Sequence, residues 1–296
     1  MNRRDILLLF GLAALWGASF LFIRVAAPAL NPAPLVEARV LLAGIALLIY
    51  AAASGRAFSP GKLWRHFLIL GALNAAIPFT LVAFATLTIT ASLAAILNAV
   101  TPLFTVLLSA LWLKETLTAK KIVGSIAGIG GVLLIVGFNP ATDSGALLAV
   151  GAALLAPLSY AVAAVYAKKV SVKASPLALA IGQQLAAAII LFPFAAATLP
   201  ESLPPVSVVL AVLALALFST AVGYLIFYRL IERVGATNTL SVTLLVPVFG
   251  LIWGALILGE PVTSVQIVGL LIILVSLVLI TGFSFGASDA DSLKPK

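Results

Sequence analysis

Two prolines, Pro102 and Pro247, each stand four positions after a polar side chain, Asn98 and Thr243, inside long apolar stretches. A proline within a helix removes one backbone donor and pushes away the carbonyl four residues back. Each pair therefore sets a loosened turn beside an amide or hydroxyl that can serve the freed groups, and Asn74 with Pro78 repeats the arrangement. The chemistry on offer is bending and binding: a packing kink, or a hinge whose polar group also meets a ligand. Trp16, Phe79, Tyr160 and Tyr224, with Tyr228, add apolar faces, most with polar tips, and Trp16 and Tyr160 hold comparable places in the chain's two halves. Gln183, Gln184 and Asn238 are further amides in apolar surroundings, each able to bond a neighbouring helix or a ligand. The substrate-contact set expected from these residues is Trp16, Asn74, Phe79, Asn98, Tyr160, Gln184, Tyr224 and Asn238. Pro102, Thr243 and Pro247 are the expected hinge.

Arg24, Glu37 and Arg39 are the clear ionisable residues inside apolar stretches. Charge at that depth calls for a partner. Glu37 and Arg39 are expected as a structural ion pair, with Arg24 the alternative partner or a side chain snorkelling to the headgroups. Catalysis would need a positioned acid, base or nucleophile. The single histidine, His66, lies in a basic connection, there is no cysteine, and no carboxylates cluster. No enzyme activity, metal or cofactor is expected. A channel would carry a polar stripe along several helices, whereas these polar residues are isolated.

The elements that position these groups follow from composition. Of 296 residues, 63% are hydrophobic and 9% charged, with a mean hydropathy of +1.26; a soluble domain carries about 25% charged residues. Most 20-residue windows are apolar enough to cross a hydrocarbon core of about 30 Å. A transmembrane barrel would instead alternate in segments of about ten residues. The fold class is all-α, a polytopic membrane protein, with spans expected at 6–26, 34–54, 66–86, 90–112, 121–138, 145–167, 176–198, 206–230, 236–258 and 263–284. The basic, then apolar N-terminus "MNRRDILLLFGLAALWGASFLF" looks like a signal peptide but is read as the first span. Trp64, Trp112 and Tyr50 suit the interfacial aromatic belt.

Fifteen of the 17 basic residues fall at one side of this arrangement: Arg3, Arg4, Arg56, Lys62, Arg65, Lys114, Lys120, Lys121, Lys168, Lys169, Lys173, Arg229, Arg233, Lys294 and Lys296. The opposite connections, around Asn31, Asp143, Glu201 and Glu260, hold none. Lysine and arginine are retained on the cytoplasmic side, so both termini are expected there, in a bacterial-type inner (plasma) membrane. The net charge of +8 is dispersed in twos and threes, which argues against nucleic acid as a partner. The expected partners are a small-molecule substrate and the lipid bilayer.

"LKETLTAKKIVG" (Leu113–Gly124) recurs 145 residues later as "LGEPVTSVQIVG" (Leu258–Gly269) with every lysine gone. Segments 91–138 and 236–283 align without a gap, with 15 identities in 48 positions, among them Pro102/Pro247 and Gly137-Phe138/Gly282-Phe283. Five helices per half is an odd number, so the second copy enters the membrane upside down. The basic turn then faces the cytoplasm and its stripped copy faces out. The expected organisation is a first five-helix repeat at 1–140 and a second, inverted repeat at 141–296, the architecture of carriers that alternate access around a midplane site.

With its P-x-F and "LxE" motifs at Pro102–Phe104/Glu115 and Pro247–Phe249/Glu260, its "LAALWGASFLFIRVA" opening and its "P-L-x-x-A-R" at Pro34–Arg39, the chain resembles the EamA type of the drug/metabolite transporter superfamily along essentially its whole length. The resemblance implies a basket-like bundle around a central cavity and export of amino acids, other metabolites or drugs, with the amino-acid exporters the nearest branch. Neutral or aromatic amino acids are the expected cargo, and lipophilic drugs or cations the alternative. Gly124 and Gly128 of "IVGSIAGIGGV" allow close helix contact, expected within the bundle of a monomer, with a dimer interface as the alternative. No buried relay other than Glu37 is available, which points to transport down the substrate's own gradient.

Overall fold

The computed structural model describes residues 2–137, 144–170 and 174–281. Phe138, Asp143, Lys173, the Gly282-Phe283 end of the repeat, Lys294, Lys296 and the C-terminus lie outside the described residues. Among those described, all regular structure is helical.

Ten helices are long and apolar enough to cross a membrane: α1 Arg3–Leu30, α2 Pro32–Ala53, α3 Gly61–Ala85, α4 Ala91–Leu113, α5 Ala119–Gly137, α6 Ser144–Lys169, α7 Pro176–Ala197, α8 Val206–Gly235, α9 Asn238–Leu258 and α10 Ser264–Thr281. This is a multi-pass membrane protein. Each expected span has its helix, with ends displaced by up to five residues. The largest shifts are at α3 and α8, because helices run past the hydrocarbon into polar sequence that hydropathy does not register. The helices are apolar on every side, as in a membrane. Leu111, Leu147, Leu148, Ile189 and Leu256 are exposed around the outside. Trp64, Trp112 and Tyr50 are exposed near helix ends.

Helix α1 packs on α8 and α9, and α6 packs on α3 and α4. Helix α2 lies along α7, and α5 along α10. The first helix of each five thus meets the third and fourth of the other. Glycine permits the α5–α10 contact: a Cβ on Gly124 would meet Ile280, and one on Gly128 would stand 2.6 Å from Ser276 Oγ and 2.7 Å from Leu103. Gly124-x-x-x-Gly128 is buried inside the chain's own bundle.

Two helices widen locally. Helix α3 has a π-helical turn at Ala72–Ala76 and α8 a longer one at Ala214–Val222. At the 145-residue offset the first falls within the second. The turns after α4 and α9 also match. Lys114 (φ 55°) and Gly259 (φ 65°) take the left-handed conformation that ends a helix, and the N–H groups of Glu115 and Glu260 reach back to the carbonyls of Ser109 and Gly254.

Candidate functional site

A cavity of about 340 Å³ lies where α1, α4, α6 and α9 cross, completed by α2, α3 and α8. No residue of α5, α7 or α10 lines it. Six of the eight expected contact residues are on its wall (Trp16, Asn74, Phe79, Asn98, Tyr160 and Tyr224), together with Pro102, Thr243 and Pro247. Gln184 is fully buried off the wall. Asn238 is exposed at the start of α9, its amide donating to the Val234 carbonyl at 2.9 Å across the non-helical Gly235.

Two aromatic pairs wall the cavity, each joining the two halves. Trp16 of α1 meets Tyr224 of α8 edge to face, with ring centres 6.4 Å apart at 72°. Phe79 of α3 meets Tyr160 of α6 at 6.4 Å and 63°. Phe79 and Tyr224 are 145 positions apart, and Trp16 and Tyr160 are 144 apart. Such edge-to-face pairs add about 0.5–1.5 kcal/mol each beyond area burial.

The polar groups are placed by the irregular turns. Asn74, on the π-helical turn of α3, donates its amide to Gln183 of α7 at 2.9 Å. Thr220, on that of α8, reaches back five residues to donate to the Leu215 carbonyl at 2.8 Å, a reach the widened turn allows. Its oxygen accepts from Arg39 Nε at 3.0 Å.

Arg39 corrects the expected ion pair. Among the described residues the ion pairs are Asp5–Arg233 and Glu115–Lys168; Glu37–Arg39 is not formed. Positions i and i+2 do not face each other, being about 200° apart around a helix. Glu37 keeps a buried carboxylate oxygen without a hydrogen-bond partner. Arg39, only 6% exposed, turns into the cavity and stacks its guanidinium carbon 3.5 Å from the centre of the Phe79 ring. Arg24 donates to the Thr86 carbonyl at the end of α3, a helix C-terminus that favours positive charge.

The proline partners also differ from expectation. Helical bonding in α4 breaks between Asn98 and Thr101, just before Pro102. The freed Asn98 carbonyl accepts from the Thr101 hydroxyl at 2.9 Å, so the Asn98 amide does not serve it. Threonine hydroxyls bond readily three or four residues back. Asn98 Oδ1 is left buried without a partner on the cavity wall. Helix α9 runs unbroken through Pro247, and its irregular point is Ser241. Thr243 donates to the Leu240 carbonyl at 2.8 Å. Sequence reasoning also missed Arg39, Ser219, Thr220 and Thr101 as wall residues. Thr101 carried a readable signal, a threonine directly before the proline.

The two ends of the bundle differ. At the end whose connections hold no lysine or arginine, Glu260 accepts from the N–H groups of Ala91 and Ser92 at 2.7 and 2.9 Å, and from the Ser92 hydroxyl at 2.5 Å. Gly17 of α1 lets α9 close in, since a Cβ there would stand 2.7 Å from Phe249 and 2.8 Å from the Gly250 nitrogen. Trp253 donates to the Ala14 carbonyl at 3.0 Å. Toward the basic end, Thr101–Leu113 of α4 turns from α9 to pack on α6 and α10, and the cavity wall descends to Leu240. Contacts there include Asp5 with Arg233 at 2.6 Å, Glu115 with Lys168, and His66 with the Tyr166 hydroxyl at 2.7 Å.

The chain matches the EamA-like transporter family twice, over residues 3–137 and 146–282. It is 27% identical to the "Uncharacterized transporter YvbV" of Bacillus subtilis, over 94% of this chain and 92% of that protein. It is 28% identical to the "Uncharacterized inner membrane transporter YedA" of Escherichia coli K12, over 95% and 93%. It is also 28% identical to the "Probable amino-acid metabolite efflux pump" of the same organism, over 94% of each. A solved crystal structure, 18% identical, has the same fold, with a TM-score of 0.67 over 94% of this chain and 96% of its own.

Proposed function

The chain belongs to the EamA-like transporter family, and on that premise we propose that it is a secondary carrier exporting small amphipathic metabolites, with neutral and aromatic amino acids as its substrates. The observation that carries this reading is the cavity itself. It lies between the halves, is walled by cross-half aromatic pairs, and holds the unpartnered amide oxygen of Asn98. Its size is within the range of small-molecule sites, about 300–1,000 Å³. An apolar wall with few polar groups suits a bulky side chain on a small polar head and suits a multiply charged cargo poorly. The naming of relatives as amino-acid metabolite efflux pumps points the same way. Export of lipophilic cations fits less well, because Arg39 is in the wall and, among the described residues, no Asp, Glu or His lines it.

In this reading the chain is two five-helix repeats, 1–140 and 141–296, in opposite orientations, with the basic end in the cytoplasm. The double family match, the two matching turns and the two π-helical turns in register support the repeat. The positive-inside rule supports the orientation. The wild type has no cysteine, so a Pro261→Cys variant should react with an impermeant thiol reagent from outside only. Labelling from the cytoplasm alone would reverse it.

The test of function is flux in proteoliposomes against a panel of neutral and aromatic amino acids and cationic dyes. Amino-acid counterflow with the proton gradient collapsed by ionophore is expected. Movement of dyes but no amino acid would replace this reading with drug efflux. Glu37 is off the cavity wall, so Glu37→Gln should keep most of the flux. Loss of coupling in that variant, with flux that needs the gradient, would make Glu37 a proton relay instead.

A further inference from the structure

Resting on the export of amphipathic metabolites proposed above, we infer that Arg39 is the substrate's anchor: it takes a carboxylate, and an anionic group is what the cavity selects. A guanidinium has five N–H donors and remains charged at any physiological pH. Burying such a charge is costly unless it is paired. Arg39 is 6% exposed, yet only its Nε has a hydrogen-bond partner among the described residues, the uncharged Thr220. The Phe79 face supplies a cation–π contact but takes none of the donors along the plane of the fork.

Every described carboxylate is engaged or placed elsewhere. Asp5 pairs with Arg233, Glu115 with Lys168, and Glu260 with the first turn of α4. Glu201 and Glu232 are exposed, and Glu37 is on another face of α2. The protein therefore presents a buried cation, in a cavity, with donors to spare and no counter-ion of its own among the described residues. A planar carboxylate matches that fork with two parallel bonds. On the same wall, Asn98 Oδ1 is a buried acceptor without a donor, chemistry that suits an ammonium. Carboxylate on Arg39 and ammonium toward Asn98 is a zwitterion's pattern.

The fold does not demand the charge. At the 145-residue offset, the counterpart of Arg39 is Gln184 of α7, a neutral side chain at the matching depth of the matching helix. The neighbouring Gln183 makes that half's cross-half polar contact, with Asn74, through amides alone, whereas the other half uses a cation. A purely structural arginine, tying α2 to α8 through Thr220, would need only the bond that it already makes.

The experiment measures binding to the purified full-length protein by thermal stabilisation, with three probes that differ at the polar head. L-phenylalanine carries both charges, N-acetyl-L-phenylalanine only the carboxylate, and L-phenylalaninamide only the ammonium. The first two should stabilise the wild type and the third should not. Arg39→Gln should weaken both carboxylates by about tenfold or more, the worth of a lost charge-assisted bond. Arg39→Lys, a point charge without the fork, should fall between and keep the order, and it serves if the glutamine variant does not fold. Binding of the amide as tight as that of phenylalanine, no carboxylate binding, or unchanged affinities in both variants would overturn the anchor. Arg39-dependent binding of N-acetyl-L-phenylalanine without flux of any amino acid would sink the amino-acid substrates and leave the anchor standing.

Discussion

On one side of the cavity Asn74, from the π-helical turn of α3, donates to Gln183 of α7; on the other, Arg39 of α2 donates to Thr220 on the π-helical turn of α8. The positions correspond within one residue at the 145-residue offset, so both are the same meeting of a second helix with the other half's third. The first pair joins two neutral amides and leaves nothing charged. The second leaves a cation facing the cavity. The same asymmetry separates the turns: Glu260 grips the first turn of α4, while its counterpart Glu115 pairs at the surface with Lys168, whose side chain is 66% exposed. The halves share the turns after α4 and α9 and the position of a π-helical turn, and differ in which side chains are charged.

The largest expected effect separates the two glutamates. A carboxylate on backbone N–H groups at a helix start is a charge-assisted contact. Glu260→Gln should loosen the hold of the α9 end on the first turn of α4 and raise labelling of a Ser19→Cys reporter in the cavity, from that side, by about tenfold. Unchanged labelling would mean that the helix crossing at Gly17 alone holds these helices together. Next, Asn74→Leu orphans the Gln183 carbonyl and should cost about 1–3 kcal/mol in unfolding assays. Adding Gln183→Leu should recover part of that loss. Thr220→Val should be the milder change for stability but should weaken substrate binding, because it frees Arg39 to shift. Equal behaviour of the two sets would erase the distinction between the polar contacts.

At the paired prolines, Asn98→Leu should reduce flux severalfold at equal expression. Thr243→Val should reduce it little, since that hydroxyl is already bonded to Leu240. The smallest effect belongs to Glu115→Gln. The hydrogen bond from Lys168 holds the Glu115 carboxyl below the usual glutamate range. Its contribution is therefore present at neutral pH and is lost as pH falls through that lowered value. Exposed pairs of this kind contribute little, so melting temperatures should differ by no more than about 2 °C at neutral pH and converge in acid.

The ten spans, the repeated turn and the break before Pro102 were legible in sequence because each has a local cause. Hydrocarbon thickness sets the length of an apolar run, and a missing N–H weakens the helix around it, with a break before Pro102 but none at Pro247. Six of the eight expected contact residues reached the wall on the same logic, since aromatic and amide groups in an apolar chain turn inward. Gln184 shared the composition and depth of Asn74 but ended behind the wall. Nothing local distinguishes the inward from the cavity-facing side of a helix that is apolar all round.

What the sequence by itself determined, then, is the class, the spans and the near-duplication of its parts, through periodicity and charge. Tertiary structure alone decided the partners. Glu37 and Arg39 are two residues apart and looked like a pair, yet the turn of the helix sends them to different surroundings. Glu260 meets Ser92 across 168 residues of chain. The π-helical turn that brings Thr220 to Arg39 leaves no mark in composition. It lies where α8 packs against α1 and α2. Direction, satisfaction and spare capacity are properties of the neighbourhood, and in this bundle the neighbours come from the opposite half of the chain.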